Sequence, residues 1–173
     1  MAPEPHLPFD PIDRAGELWE KNFGDAESMR VATSIMRVQQ LLISALDARL
    51  KPFDITFARY EVLVLLTFSR SGHLPLSKIG ERLMVHPTSV TNAIDRLEAQ
   101  GLVRRESDST DRRRVLASLT AKGTRVTAAA TKSLTDLDFG IAGLDRDELG
   151  TLYTLLRRVR GAAGDFPDGV PAP

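Results

Sequence analysis

Short hydrogen-bonding side chains recur at helical spacing between residues 88 and 96, in a segment whose pattern predicts an amphipathic helix. At about 100° per residue, one face of this segment is apolar, and the other carries Thr88, Ser89, Asn92 and Arg96. The wet face of a helix usually carries long charged side chains. Hydroxyl and amide groups can instead reach the edges of bases in a DNA groove. The residue types and their spacing therefore predict contacts with nucleic acid.

The polar positions of this helix suit different contacts with a duplex. The amide of Asn92 can pair with adenine in the major groove, a contact that contributes about 1–3 kcal/mol of discrimination. Ser89 and Thr91 suit phosphates or thymine methyl groups, and Arg96 suits the sugar–phosphate backbone. His86, just before the helix, either touches a phosphate or ends the preceding turn.

Three consecutive arginines follow at the turn of a predicted β-hairpin, close to Asp108 and Asp111. Because alternate residues of a hairpin point to opposite faces, at least one of the three should pair internally, with one of these aspartates. Arg112 and Arg113 are the predicted DNA contacts of the hairpin. Asp95 is an acidic residue on the DNA-facing helix, so we expect it to orient Arg112 or another arginine of the hairpin.

The overall charge is neutral, but its distribution is uneven. The 173 residues carry 23 Lys and Arg against 23 Asp and Glu. Between residues 96 and 125, eight basic and four acidic residues leave a net charge of +4, whereas the segment before Met29 is acidic. A neutral total can therefore include a basic surface for the phosphates of DNA.

The composition argues against several other classes of protein. There is no cysteine, which excludes disulfides and thiolate metal sites, and the three histidines are scattered without metal-ligand spacing. No nucleophile has a plausible base nearby and no glycine-rich phosphate loop precedes a helix, so we expect neither an enzyme nor a cofactor. No apolar run reaches the ~20 residues that span a bilayer, and no signal-like block is present, which predicts a cytoplasmic protein.

Capping and hydrophobic patterns predict the elements that position these residues. Helices are predicted at 11–23, 26–50, 57–69, 78–84, 88–100, 121–142 and 146–160, with hairpin strands at 102–107 and 114–119 and a short strand at 74–76. Thr56, Ser77 and Thr120 are predicted N-caps, and Asp145 with Glu148 forms a start that resembles a capping box. The predicted fold is mainly α with a small β-hairpin wing.

These elements predict a winged helix-turn-helix DNA-binding lobe and a helical dimerisation lobe built from both termini. The predicted boundaries are a flexible arm at 1–9, N-terminal helices at 10–52, the winged lobe at 53–119, C-terminal dimerisation helices at 120–160 and a flexible tail at 161–173. Helices at both ends keep apolar stripes that the winged lobe cannot cover. We therefore expect these stripes to pack against each other and against a second copy, which predicts a homodimer.

The central motifs resemble those of MarR-family transcriptional regulators, and the similarity extends from about residue 28 to 160. The matching sequences are DRLE and GLV at the end of the recognition helix, DxxDRR in the wing and LTxxG after it, at residues 95–98, 101–103, 108–113 and 119–123. The resemblance implies a dimer on a near-palindromic operator, with the recognition helices in the major groove and Arg113 of each wing in the flanking minor groove. Arginine suits that narrow, electronegative groove.

The same resemblance implies a small effector, often an aromatic molecule or an organic acid, which binds between the two lobes and weakens DNA binding. The extra N-terminal helix is similar to that of the urate-responsive branch, where a Trp, an acidic residue and two arginines surround the ligand. Trp19 and Arg105 match, the acidic position falls at Glu61, and the second arginine position falls at Ala93. This incomplete match argues against urate itself and leaves a different anionic ligand open. For Trp19 itself, the first interpretation is a packing residue that holds the extra helix against the body, and the second is a ligand contact.

Two alternatives to a ligand-released repressor stay open at this point. An activator would use the same elements, since repression is only the commoner habit of the family. A winged helix used as a protein-interaction module would instead present an apolar face on the recognition helix. The hydroxyl, amide and guanidinium groups of that face argue against this second alternative.

Overall fold

Local capping signals start most of the helices in this protein, and the computed structural model describes residues 7–108, 111 and 114–167. The helices are α1 (Pro11–Asn22), α2 (Glu27–Leu50), α3 (Phe57–Thr67), α4 (Leu76–Leu83), α5 (Pro87–Ala99), α6 (Ala121–Thr135) and α7 (Arg146–Ala162). The strands are β1 (His73–Pro75), β2 (Val103–Ser107) and β3 (Val115–Leu119). A mainly helical chain with a small antiparallel sheet confirms the predicted fold class.

Three of the helix starts follow from their own sequence, as predicted. The carboxylate of Asp10 accepts a hydrogen bond from the Ile12 amide at 2.8 Å, ahead of α1. The hydroxyl of Thr120 accepts from the Gly123 amide at 2.9 Å and starts α6. A complete capping box at Asp145 starts α7.

One predicted cap lacks its capping bond, and another predicted cap is wrong. Thr56 stands at the cap position of α3, but its side chain makes no capping bond. The carboxylate of Asp47, on α2, accepts from the Phe57 amide at 2.6 Å instead. Ser77 lies inside α4, which begins at Leu76 directly after the strand residue Pro75.

The sheet contains the predicted hairpin and one further short strand. Its order is β1-β3-β2, and both neighbouring pairs are antiparallel. Ala117 of β3 lies between Leu74 of β1 and Arg105 of β2. We call β2, β3 and the turn between them the wing. Strand β1 attaches the wing to the helices beside it, because it leads directly into α4.

One apolar cluster connects the helices to the sheet within residues 46–134. Its largest fully buried side chains come from α2, α3, α4, α5, the wing and α6: Leu50, Leu63, Ile79, Val90, Ile94, Leu97, Leu102, Val103 and Leu134. Burial of these residues fixes how each helix is rotated about its own axis.

Helix α6 is shorter than predicted, since it ends at Thr135 and not near residue 142. Asp138 and Phe139 have left-handed φ angles of 48° and 51°, and Gly140 follows at 79°. A non-glycine residue seldom adopts this conformation, so no local signal in the sequence marks the break. The chain divides here into two compact units, Met1–Gly140 and Ile141–Pro173. The lobe boundaries predicted at 52–53 and 119–120 stay predictions.

None of the described helices is long and apolar enough to cross a bilayer.

Candidate nucleic-acid interface

Helix α5 is held at both ends by signals in its own sequence. Pro87 takes the first helical position, and Nδ1 of His86 accepts a hydrogen bond from the Thr88 amide at 3.3 Å. His86 therefore ends the preceding turn, as one of its two predicted roles requires. At the other end, Gly101 has a φ of 69°, and the Leu102 amide donates to the Leu97 carbonyl at 2.9 Å.

The buried face of α5 determines which side chains reach solvent. Val90, Ile94 and Leu97 are at most 2% exposed. The predicted DNA contacts on this helix are all exposed: Thr88, Ser89, Thr91, Asn92 and Arg96. The structure therefore places them together on one outer surface, where their contact with DNA remains a prediction.

The wing is attached to one side of α5 through Arg105 of β2. Its Nη2 lies 2.5 Å from Oδ1 of Asp95, and its Nη1 lies 3.2 Å from Oε2 of Glu98. Nη2 also donates to the Thr91 carbonyl at 3.4 Å, and the Arg105 amide donates to Oε1 of Glu98 at 3.1 Å. Asp95 thus orients a wing arginine, as predicted, and the partner is Arg105. We call this side of α5 the wing flank.

The turn of the wing contains one arginine that pairs internally. Nη1 of Arg114 lies 3.8 Å from Oδ2 of Asp108, and the Asp108 amide donates to the Arg114 carbonyl at 3.0 Å. The expectation that one of the three arginines would pair within the hairpin is confirmed by this contact. Arg112 and Arg113, the predicted DNA contacts of the wing, lie outside the described residues.

The C-terminal end of α5 is fixed to the start of α6. The Thr120 hydroxyl donates to the Gly101 carbonyl at 2.7 Å, and Nζ of Lys122 donates to the Gln100 carbonyl at 2.7 Å. A Cβ atom at Gly123 would lie only 2.0 Å from the Leu102 carbonyl oxygen. This close approach explains why the LTxxG sequence needs glycine at its last position.

A groove of about 770 Å³ lies along the opposite side of α5. The first turn of α3 forms its other wall and contributes Arg59, while α5 contributes Ser89, Asn92 and Arg96. We call this side of α5 the α3 flank. Sequence reasoning did not include Arg59 among the DNA contacts, because only the tertiary fold places it beside α5.

The three predicted ligand residues lie on three different elements. Trp19 of α1 is 41% exposed and its ring packs against Phe23, with centroids 5.1 Å apart. Glu61 lies on α3, where partial removal from water raises the pKa of its carboxyl above the ordinary value. Arg105 is held by the carboxylates of α5. Among the described residues, no hydrogen bond, ion pair or ring contact joins any two of these three, so the ligand site stays a prediction.

The contact of Trp19 with Phe23 lies within α1 and its C-cap, so the role of Trp19 in holding the extra helix in place stays a prediction. Helix α1 also contacts α2 directly, through an ion pair between Glu20 and Arg30. A Cβ atom at Gly16 would lie 2.1 Å from Nε of Arg30, so a larger residue there would require the flexible Arg30 side chain to move. In the described parts of the chain, no group of three or more His, Asp or Glu side chains could hold a metal ion.

Comparison with known proteins gives consistent matches. The sequence profile of the MarR family matches residues 57–115. YhbI, an uncharacterized HTH-type transcriptional regulator of Bacillus subtilis, is 32% identical over 125 residues, which cover 72% of this chain and 77% of YhbI.

Two solved structures show the same fold. Sco5413, a MarR family transcriptional regulator from Streptomyces coelicolor, is 55% identical, with a TM-score of 0.75 over 82% of this chain and 98% of that one. A mutant MarR from E. coli complexed with operator DNA is 28% identical, with a TM-score of 0.69 over 78% of this chain and 96% of that one.

Proposed function

This chain belongs to the MarR family of transcriptional regulators, which are not enzymes, and we propose that it is a ligand-responsive repressor acting in the cytoplasm. In this proposal a homodimer binds a near-palindromic operator, with α5 of each protomer in the major groove and each wing in the flanking minor groove. A small organic acid or aromatic molecule then binds the protein and releases it from the operator.

The rotation of α5 is the observation that carries this proposal. Because Val90, Ile94 and Leu97 are buried, the hydroxyl and amide groups of Ser89 and Asn92 must face outward. These groups can read base edges in a major groove, and Asn92 is suited to adenine. The helix is also held at both ends and along the wing flank, so its contacts are ordered before DNA arrives.

The related E. coli protein supports DNA as the partner, because its mutant form was solved in complex with operator DNA. Its fold matches 78% of this chain. In a two-fold dimer, the two recognition helices would lie about 34 Å apart, one duplex turn, and would require half-sites spaced by about 10 bp.

The effector is proposed to be an anion that contacts Trp19, Glu61 and Arg105. Trp19 is the only tryptophan in the chain, so its fluorescence reports binding near α1 without a label. A titration with benzoate should change that fluorescence and lower DNA affinity over the same concentration range. Fluorescence that changes with no loss of DNA affinity would contradict a release mechanism.

DNA binding itself is tested by fluorescence anisotropy, with a labelled fragment from upstream of the protein's own gene and a random fragment of equal length. A dimer that touches about 6–10 phosphates should lose ~10³–10⁵ in affinity between 50 and 200 mM salt. Asn92→Ala should reduce the preference for the specific fragment by about 5–150-fold, which corresponds to ~1–3 kcal/mol. Asn22→Ala, on α1, is the matched control and should keep the preference.

Affinity that barely changes with salt would contradict the proposal and favour a protein-interaction module. An Asn92→Ala variant that keeps the full preference would remove Asn92 as a base reader and leave DNA binding intact.

A further inference from the structure

We propose that Arg59 is an additional DNA contact, which binds a phosphate of the strand that passes along the α3 flank of the recognition helix. This inference rests on the proposed DNA-binding function and adds a residue outside the helix and the wing. Four features of the structure support it: the position of the α3 flank, the anchoring of Arg59, the charges in the groove and the width of the major groove.

The two flanks of α5 are in contact with different parts of the chain. Arg105 of the wing contacts Thr91, Asp95 and Glu98, which define the wing flank. On the α3 flank, Nε2 of Gln100 donates to the carbonyl and to Oδ2 of Asp54, at 2.6 and 2.9 Å. The segment that leads into α3 is therefore bound directly to the end of α5.

Arg59 is anchored at the same place. Its Nη1 donates to the Asp54 carbonyl at 3.4 Å, the same oxygen that accepts from Gln100. Asp54 has a left-handed φ of 57°, so the chain turns sharply just before α3. A guanidinium has five N–H donors, and one long contact to a neutral carbonyl leaves most of them for another acceptor. The head group of Arg59 is thus held beside the groove that Arg96 lines.

The groove has a positive charge balance. Of the ion pairs between described residues, none involves Arg59 or Arg96. One acidic residue also lines the groove, Asp95, but its carboxylate lies 2.5 Å from the Arg105 guanidinium. The charged residues that line the groove are thus two arginines and one aspartate, a net charge of +1, while the carboxylate of Asp54 is not part of its lining and accepts from the amide of Gln100. Two guanidinium groups on one surface without an acidic partner favour a bound phosphate.

The geometry of DNA places a phosphate chain on this side. A major groove is about 12 Å wide and an α-helix with its side chains is about 10–12 Å across, so an inserted helix has a sugar–phosphate backbone along each flank. On the wing flank, the described arginine Arg105 is paired with two carboxylates. On the α3 flank, Arg59 and Arg96 face that backbone from two different elements.

The test compares the salt dependence of DNA affinity for the full-length protein and four variants, one of which is Arg96→Ala. Each lost phosphate contact should reduce the slope of log K against log salt by about 0.9, so Arg59→Ala should reduce it by about 1.8 in a dimer. The affinity ratio between 50 and 200 mM salt should then shrink by about 12-fold. The loss should be equal on specific and random DNA, because a phosphate contact carries no sequence information.

Arg59→Lys and Arg70→Ala are the controls. Arg59→Lys keeps the charge and should keep the slope, although it loses the planar contact with Asp54. Arg70→Ala removes an exposed arginine beyond the C-terminal end of α3, the end opposite to Arg59, and should leave the slope unchanged.

Two results would overturn the inference. An unchanged slope in Arg59→Ala, with a reduced slope in Arg96→Ala, would show that only α5 binds phosphate on this flank. Equal loss of slope in Arg59→Ala and Arg59→Lys would show a structural role. In both cases the wild-type protein still binds DNA, which separates these results from failure of the proposed function.

Discussion

The central helices and the terminal helices of this protein differ in how much of their apolar surface the chain covers. Helix α5 buries Val90, Ile94 and Leu97 almost completely, and α3 buries four of its residues. Helix α7 buries none of its residues, and α1 buries only Gly16. The winged centre therefore has its own core, whereas the described chain leaves the apolar surfaces of the terminal helices α1 and α7 uncovered.

Helix α2 is buried near its C-terminal end and exposes apolar side chains nearer its N-terminal end. Its buried residues, Leu46 and Leu50, lie at the C-terminal end, where it contacts the central cluster. Its N-terminal part exposes several large apolar side chains: Val31, Ile35, Met36, Val38 and Leu41. Exposed apolar surface of this extent is typical of an interface between subunits. The proposed DNA-binding surface and the proposed dimer surface therefore lie on different parts of the chain, so each can be altered separately.

The largest expected effect is the loss of stability when a buried residue of the winged centre is truncated. Ile94→Ala should lower the free energy of unfolding by about 2–5 kcal/mol, because it removes a fully buried side chain and leaves a cavity. Urea unfolding at several protein concentrations measures this change, which should not depend on concentration. A loss below about 1 kcal/mol would mean that the centre is less tightly packed than its burial indicates.

A charged residue on the apolar stripe of α7 should weaken the association of the two subunits. Leu155 is 50% exposed. Leu155→Glu should weaken the proposed homodimer by at least tenfold, about 1.4 kcal/mol, since the carboxylate would have to be buried between subunits. Sedimentation velocity at micromolar concentration measures the shift to monomer. Thr154→Glu, on the opposite face of α7, adds the same charge as a control, and an equal effect of both variants would contradict an interface on the apolar stripe.

The ion pair between Asp95 of α5 and Arg105 of the wing should contribute less to the free energy of unfolding than the buried core does. In a double-mutant cycle with Asp95→Ala and Arg105→Ala, we expect a coupling of about 0.5–1 kcal/mol in unfolding free energy, because the pair is partly exposed to water. Each single variant should also weaken DNA binding, since the wing loses its attachment to the recognition helix. A coupling of zero would show that the ion pair between Asp95 and Arg105 does not stabilise the fold.

The smallest effect concerns Glu61, whose carboxyl has a pKa raised by partial burial. A raised pKa means that the folded protein binds this proton more tightly than the unfolded chain, so the stability from this group falls as the pH rises through that range. Glu61→Gln cannot ionise and should unfold about 1–2 °C above wild type at pH 7. Thermal unfolding should show the difference shrinking toward pH 4, and a difference that grows there would contradict the burial argument.

Much of the fold was predictable because its signals are local. The capping residues Asp10, Thr120 and Asp145, and the C-terminal glycine of α5, act within a few residues of themselves. The errors occur where a distant segment replaces a local signal. Asp47 caps α3 from ten residues away, and the end of α6 lies at two non-glycine residues in left-handed conformation.

The residues of the candidate site also divide into those that a local pattern predicts and those that only the tertiary structure places. Helical periodicity selected Thr88, Ser89, Asn92 and Arg96, residue type added Thr91, and all five are exposed on α5. Periodicity could not assign the partner of Asp95, because Arg105 lies on a strand whose position depends on the whole sheet. For the same reason it did not place Arg59 among the residues beside α5.

The sequence by itself determined which residues of α5 are polar, where most helices begin and which family motifs the chain contains. These properties depend on spacing along one segment, and one segment is enough to define them. Only the tertiary structure decided that Arg59 and Arg96 line one groove and that Arg105 is neutralised by α5. Asp54 and Gln100, which join the segment before α3 to the end of α5, are 46 residues apart, and such a contact forms only when the buried core has brought its elements together.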